Sequence, residues 1–427
     1  MDSKRSHSNS RPLVANPTTF SLGDYDCIGF DLDHTLCSYH LRPLYDLIYQ
    51  ALASFLVNKR GYPKNLLEEP LDVSFIQKGL VLDKQRGNIL KLDCDYRIVK
   101  AAHGTKLMSP SDIERVYGAE RIWESSLGIP SLLVEKGFLR EPFYVFKDYF
   151  VTPGAYICAR IVDLLDDRNG KPLESYSFWK DYLNGLHYIY DKNNFSNGGG
   201  GFFPQLVKHP ERYFIPRSDS VKQWLRSLRQ EGKVVFLVTS SNHDSAQFIA
   251  EYALGKEWRD FFDLVVTFAK KPGFFRKEDR PFLEVKDGKV IGAVQPSSMG
   301  HHTVYTEGNF EGLLEACASL SRKKHPSLLY FGDSLMEDVY AGSKLAGCHT
   351  AAIVEEISDD EESGVWGSFF CDRRQHPSLW ARVLSEHSRV AVTDLESLVN
   401  VGVKERIPCF GSPLSGYYPA KPKVLNS

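Results

Sequence analysis

Long apolar runs are missing from this chain: no stretch of about 18 apolar residues occurs, so nothing in it reads as a membrane span. The first 20 residues hold Ser and Arg but no apolar core of the kind a secretory signal needs. They read as a disordered tail, with a transit peptide as the alternative. A surplus of positive charge is missing too. Lys plus Arg number 52 against 54 Asp plus Glu, a net charge of -2, which supplies no global field for nucleic acid. Any anion must therefore be held by local features. Paired cysteines are also absent: the eight, at 27, 37, 94, 158, 317, 348, 371 and 409, include no C-x-x-C and no zinc-site spacing. Reduced thiols and a cytoplasmic location are the expectation. What remains is an ordinary globular composition, long enough for roughly two or three domains with a well-buried core.

The stretch Asp26-Cys27-Ile28-Gly29-Phe30-Asp31-Leu32-Asp33-His34-Thr35-Leu36 is an apolar run that ends in two carboxylates one residue apart. Ile28 and Phe30 suit a buried parallel strand, and open α/β sheets bind ligands just beyond the carboxyl ends of their strands. Acids at i and i+2 of an extended chain share a side, so Asp31 and Asp33 both reach one phosphate or one metal. Their mutual repulsion calls for a cation. For a bare D-x-D, a simple turn at the end of a strand is the alternative.

Downstream, Leu44, Ile48, Leu52, Phe55 and Leu56 predict a helix that stops at Gly61-Tyr62-Pro63. Residues 79–83 and 88–93, joined by Lys84-Gln85-Arg86-Gly87, predict a hairpin, with another strand over 98–102. Residues 110–210 turn helical and aromatic, with one helix face through Ile157, Ile161, Leu164 and Leu165 and another through Trp179, Tyr182, Leu183 and Leu186. Gly198 to Gly201 lack the Gly-Lys-Ser/Thr of a phosphate loop and read as a flexible exit. From the N-cap Ser218 onward, strands over 234–238, 263–268, 328–331 and 349–354 alternate with helices, which predicts a parallel, helix-covered sheet. The hairpin through Asp287-Gly288 should decorate that sheet rather than build it. The acidic run 355–362 reads as a solvated loop, 373–402 as helix-like, and the last 15 residues as irregular.

Four strand ends then carry the chemistry: Asp31 with Asp33, Thr239 with Ser240, Lys271, and Asp333 with Asp338. Phosphoryl transfer needs a nucleophile, a proton donor for the leaving oxygen, donors to the phosphate oxygens and cations for their charge. Singly, Thr239-Ser240 is an ordinary N-cap, Lys271 beside Lys270 a solvated charge, and Asp333 a turn residue. Together, in this order, they resemble the four motifs of the haloacid dehalogenase superfamily.

The segments Ile28 to Leu36, Lys78 to Asp83, Gly87 to Asp93, Ala102-His103-Gly104 and Ala269 to Phe275 further resemble the cytosolic purine 5′-nucleotidase family over about residues 24 to 355. The resemblance implies a doubly wound, Rossmann-like parallel sheet with an inserted α+β cap. It implies Asp31 as nucleophile through an aspartyl-phosphate and Asp33 as acid and base. Thr239, Ser240 and Lys271 would hold the phosphoryl group. Mg²⁺ would be held by Asp31, the Asp33 main-chain carbonyl and Asp333, with Asp338 supporting its water shell or Lys271. Ser240 stands where that family usually has Asn. The implied substrates are nucleoside 5′-monophosphates such as IMP and GMP. Another small phosphoester, a phosphoprotein, or a scaffold role with little turnover are the alternatives.

The expected layout is a tail over 1–20, a catalytic core over 21–60 and 211–355, a cap over 61–210, and a helical or irregular extension over 356–427. More than two hundred residues between Asp31 and Thr239 far exceed a simple crossover, which is the argument for the cap. Its aromatics Phe143, Tyr144, Phe146, Tyr149 and Phe150 read as cap core before they read as a stacking surface. Arg160 and Asp163, three apart on one helix face, read as an exposed helix ion pair before they read as contacts to a base edge. Neither nucleic acid nor membrane is an expected partner, and a homo-oligomer stays open.

Overall fold

The computed structural model describes residues 18–136, 142–276, 279–358, 364–372, 374–411 and 416–425. Most of the expected tail, and parts of the acidic run and of the last 15 residues, lie outside them.

In chain order the central sheet comprises β1 Cys27–Phe30, β2 Val234–Val238, β3 Leu264–Thr267, β4 Phe282–Lys286 and β5 Lys289–Val294. It continues with β6 Val304–Glu307, β7 Leu328–Gly332, β8 His349–Ile353, β9 Val390–Val392 and β10 Tyr417–Tyr418. In space the ten run β5-β4-β6-β3-β2-β1-β7-β8-β9-β10. All neighbours are parallel except β4, which is antiparallel to both β5 and β6. Every residue of β1, β2 and β7 is buried, as strands covered on both faces require. Gly29 is demanded by this packing: a Cβ there would lie 2.0 Å from the Phe236 ring of β2.

Two expectations about the central sheet need correction. The Asp287-Gly288 hairpin forms as predicted, but β4 pairs with β6, so the hairpin builds the edge of the sheet instead of decorating it. The short strand β6 is not among the expected strands because its four residues carry too little alternation to stand out. The C-terminal region does hold a helix, Leu379–His387, yet β9 and β10 after it extend the sheet on the other side. Strands of three and two residues have no readable period, and only pairing, of β9 to β8 and of β10 to β9, defines them.

Between β1 and β2 the chain builds a second, five-stranded sheet that is antiparallel throughout, in the order Lys106–Leu107, Ile98–His103, Asn88–Leu92, Val81–Asp83, Phe143–Val145. The predicted hairpin at 84–87 lies in it. Helices Leu41–Arg60, Gly154–Asn169 and Trp179–Ile189 pack together beside it, and the first ends at Gly61, whose φ of 76° favours glycine. Phe143, Tyr144 and Phe146 are buried, with Tyr144 5.3 Å from the Phe146 ring and 5.5 Å from Tyr182. Gly198 to Gly201 follow the turn Asn194–Asn197, whose first side chain bonds Tyr188 O at 2.6 Å. The expected Arg160–Asp163 pair does not form. Arg160 is buried and meets Glu69 at 2.5 Å, while Asp163 accepts the Thr105 N–H and hydroxyl at 3.1 and 2.7 Å. That helix face points inward, so its polar groups take partners from other elements. No helix among the described residues is long and apolar enough to cross a membrane.

Candidate active site

β1 sits at the middle of the sheet with β2 on one side and β7 on the other. The chain leaves β1 toward β2 and returns later to β7, so the topological switch point lies at the carboxyl ends of β1 and β7. Asp31 and Asp333 are the first residues beyond those two ends. The Asp31 N–H donates to Phe331 O at 2.8 Å, fixing one strand end against the other.

The turn after Asp33 is tight. The N–H groups of Thr35, Leu36 and Cys37 all reach Leu32 O, at 3.3, 2.9 and 2.8 Å. Arg217, buried, clamps it from below: Nη2 donates to Thr35 O at 2.6 Å, Nε to Leu36 O at 2.9 Å, and Nη1 meets Asp394 at 2.8 Å. A loop held by this many bonds can carry a nucleophile at a set position.

Asp31, Asp333 and Asp338 are all buried and bring one carboxylate oxygen each within 4.8 Å of the others. Asp333 follows Gly332, where a Cβ would come 2.4 Å from the Asp338 side chain, so glycine is what lets Asp338 fold back over the strand end. Asp338 lies on a π-helical turn, Leu335–Tyr340, capped by the Ser334 hydroxyl, and its Oδ2 accepts the Ser334 N–H at 3.1 Å. Lys271 faces the cluster. Its Nζ is 2.6 Å from Asp338 Oδ1, 2.9 Å from Asp31 Oδ1 and 3.1 Å from the Tyr330 hydroxyl. Burial would lower the Lys271 pKa, but the charges of Asp31 and Asp338 outweigh it and push it well up, so the ammonium is permanent.

Three carboxylates thus face one ammonium. Burial is the main reason that Asp31 is pushed up to about 8; Lys271 pulls the other way, and Asp338 and Asp33 add to the rise. Burial, then Asp338 and Asp31, likewise push Asp333 well above the carboxylate range. Apart from the Lys271 ion pair, buried Asp31 Oδ1 makes no hydrogen bond. An all-oxygen set with an excess of negative charge, including a buried oxygen paired with the Lys271 ammonium, fits a hard divalent cation such as Mg²⁺.

The Asp33 carboxylate stands outside that cluster and has its own partners. Tyr39 donates to Oδ1 at 2.5 Å and Ser241 to Oδ2 at 2.7 Å. Burial, with the Asp33 charge second, holds the Tyr39 phenol well above its usual pKa, so it remains a donor. Thr239 is buried, and its hydroxyl accepts the Ser241 N–H at 3.1 Å. Ser240 accepts the Lys271 N–H at 2.9 Å, stapling the turn after β2 to the loop after β3. Each of these two hydroxyls keeps its proton for a further acceptor.

The second sheet reaches the rim of this site. Lys147, just after strand Phe143–Val145, pairs with Asp148 at 2.6 Å and with Glu337 at 2.7 Å. Buried Lys78 meets Glu356 at 3.1 Å and the Tyr149 hydroxyl at 2.9 Å. His34 is sandwiched between Tyr39 and Tyr149, with both ring centroids at 4.4 Å.

A comparison with protein families matches residues 15–379 to the 5′ nucleotidase family. The chain belongs to the 5′ nucleotidase family. Similar proteins include 5′-nucleotidase domain-containing protein 1 of Homo sapiens, 34% identical with 96% of this chain and 98% of that protein covered. The Bos taurus protein of the same name is 33% identical over the same shares. The 5′-nucleotidase domain-containing protein 2 of Rattus norvegicus is 25% identical, covering 82% of this chain and 60% of that protein. Membership makes this chain a phosphomonoesterase of the 5′-nucleotidase kind.

Asp31, Lys271, Asp333 and Asp338 converge, and Thr239 and Ser240 lie on the adjoining turn. Tyr39, Ser241, Arg217, Tyr330 and Lys147 were not singled out from sequence. Ser241 carried a signal, as one of the hydroxyls in Thr239-Ser240-Ser241-Asn242. Tyr39 and Arg217 carried none, because nothing local in the sequence links them to Asp33 or to the turn.

Proposed function

We propose that the protein is a Mg²⁺-dependent nucleoside 5′-monophosphatase that works through an aspartyl-phosphate on Asp31. The observation that carries this reading is the buried trio Asp31, Asp333 and Asp338 at the switch point of the sheet, with Lys271 pairing both Asp31 and Asp338. Asp31 attacks phosphorus, the bond to the sugar oxygen breaks, and Asp33 gives that oxygen its proton. A water then attacks the phosphoryl group, Asp33 takes the proton of that water, and the bond between phosphorus and the Asp31 oxygen of this acyl phosphate breaks to give free carboxylate and phosphate. Lys271 and the Thr239 and Ser240 hydroxyls hold the phosphoryl oxygens. Asp31, the Asp33 carbonyl and Asp333 would hold Mg²⁺, with Asp338 alongside, and the bound ion would offset the charge that otherwise keeps phosphate and carboxylates apart. Residues 61–210 act as the cap, touching the rim through Lys78, Lys147 and Tyr149, excluding water and selecting the leaving group.

The test is a phosphomonoester panel, nucleoside 5′-monophosphates included, assayed with Mg²⁺ and with excess EDTA. Turnover of nucleotides only with Mg²⁺ supports the reading. Full activity in EDTA, or no turnover of any phosphoester, overturns it.

Proton linkage gives a second check. A pKa of about 8 for folded Asp31 lies far above its unfolded value, so the folded metal-free protein holds an extra proton in between. Its stability contribution is complete below the unfolded pKa of about 4 and is lost as pH rises through about 8. Mg²⁺ requires the carboxylate, so binding should release protons and tighten from pH 6 to 8. Calorimetric titration in buffers of different ionisation enthalpy counts those protons; pH-independent binding without proton release would contradict the assignment.

Tyr39→Phe removes one of the two donors to Asp33 while keeping the ring between His34 and Phe214. It should lower kcat for a nucleotide about 10- to 100-fold. p-Nitrophenyl phosphate, whose leaving group needs no proton, should lose much less. Equal losses for both substrates in a kinetic comparison would refute the role.

A further inference from the structure

Away from the carboxylate trio, a second group of metal-ligating side chains converges among the described residues: Cys94, Asp95 and His376 each bring one ligand atom within 4.8 Å of the others. We propose that they form a second metal site, selective for Zn²⁺ over Mg²⁺, which ties the turn after strand Asn88–Leu92 to the segment entering helix Leu379–His387.

Backbone bonds hold the two segments together before any metal is considered. The Cys94 N–H donates to Pro377 O at 2.9 Å, and Asp93 forms an antiparallel bridge with Ser378. On one side, Asp93 Oδ1 accepts the N–H groups of Asp95 and Arg97, each at 2.9 Å, closing the turn that presents Cys94 and Asp95. On the other, Asp372 Oδ1 accepts the N–H groups of Arg374 and His376 at 2.8 and 2.9 Å, while the Asp372 N–H returns to His376 O at 2.9 Å. The ligand-bearing backbones are therefore set, and only side-chain rotations remain to close the site. His376 is 57% exposed, so an ion enters from solvent and water completes its coordination, while Asp93 Oδ2 lies 3.9 Å from His376 Nδ1.

Donor chemistry decides the metal. A thiolate, an imidazole and a carboxylate suit tetrahedral Zn²⁺, whose bonds of about 2.0–2.3 Å place donor atoms roughly 3.3–3.8 Å apart, within small rotations of the observed grouping. Mg²⁺ prefers oxygen and octahedral geometry, which the trio at Asp31 offers and this site does not. The two sites sort the two metals by ligand type.

The experiment titrates the full-length, metal-free, reduced protein with Co²⁺ as a spectroscopic stand-in for Zn²⁺. Only a site with a thiolate gives a sulfur-to-cobalt charge-transfer band, so binding at the all-carboxylate trio is silent in that window. The band is expected in the wild type, displaced by Zn²⁺ but not by Mg²⁺. It should vanish in Cys94→Ser, and His376→Ala, at an exposed position, should weaken Co²⁺ binding more than about tenfold. Asp333→Asn should leave it intact. No band in the wild type, a band that persists in Cys94→Ser, or unchanged affinity in His376→Ala overturns the proposal.

Discussion

Asp31→Asn is expected to lower kcat/KM for any phosphomonoester by at least about 10,000-fold, because an amide is a poor nucleophile and no other group replaces it in a two-step covalent reaction. The fold should survive, since Lys271 keeps Asp338 at 2.6 Å and Tyr330 at 3.1 Å. In the metal-free state the variant should even be more stable at pH 8. There the wild type faces either holding a proton on Asp31 or burying its charge beside Asp338 and Asp33. The advantage follows the sign of the raised pKa: it grows as pH climbs toward about 8 and disappears near pH 4, where wild-type Asp31 is protonated folded or unfolded. Steady-state kinetics and thermal unfolding in EDTA at several pH values measure both effects. Activity near wild type would remove Asp31 from the nucleophile's role, and a variant less stable at pH 8 would contradict the electrostatic account.

Lys271→Met is expected to show the largest stability loss, about 3–5 kcal/mol at pH 8, since it leaves buried Asp31 and Asp338 without the ammonium that pairs with both. Methionine keeps most of the volume, so the cost is charge rather than cavity. With the ammonium gone, the pull of Lys271 on Asp31 is lost and its raised pKa rises further, the folded state takes up a proton, and the loss shrinks toward pH 5. Mg²⁺ should recover part of it, as a replacement cation that binds the folded state alone. Urea unfolding at pH 5 and 8, with and without Mg²⁺, reads all three effects. A pH-independent loss would mean that Lys271 matters through packing.

Local pattern made much of this legible beforehand. Asp31, Thr239 and Asp333 each end an unbroken apolar run, and a buried parallel strand delivers its next residue to the ligand edge wherever it stands in the sheet. The helix Leu41–Arg60 and the hairpins at 84–87 and 287–288 were visible because their periods and turn residues span enough chain. β6, β9 and β10 were invisible because two to four residues carry no period. Arg160 was misread because a polar residue looks solvent-facing until the partner, here Glu69, is seen.

By itself, then, the sequence determined the alternation of strand and helix, the family, and the residue types at the strand ends, all properties of contiguous stretches. Tertiary structure alone decided which distant groups meet: Tyr39 and Ser241 on Asp33, Arg217 beneath the turn, Lys147 on Glu337, and Cys94 beside His376. The eight cysteines showed no zinc spacing because these ligands come from turns far apart in the chain. Side-chain contacts depend on distance in space, and for such pairs sequence separation carries no information about it until the sheet order is known.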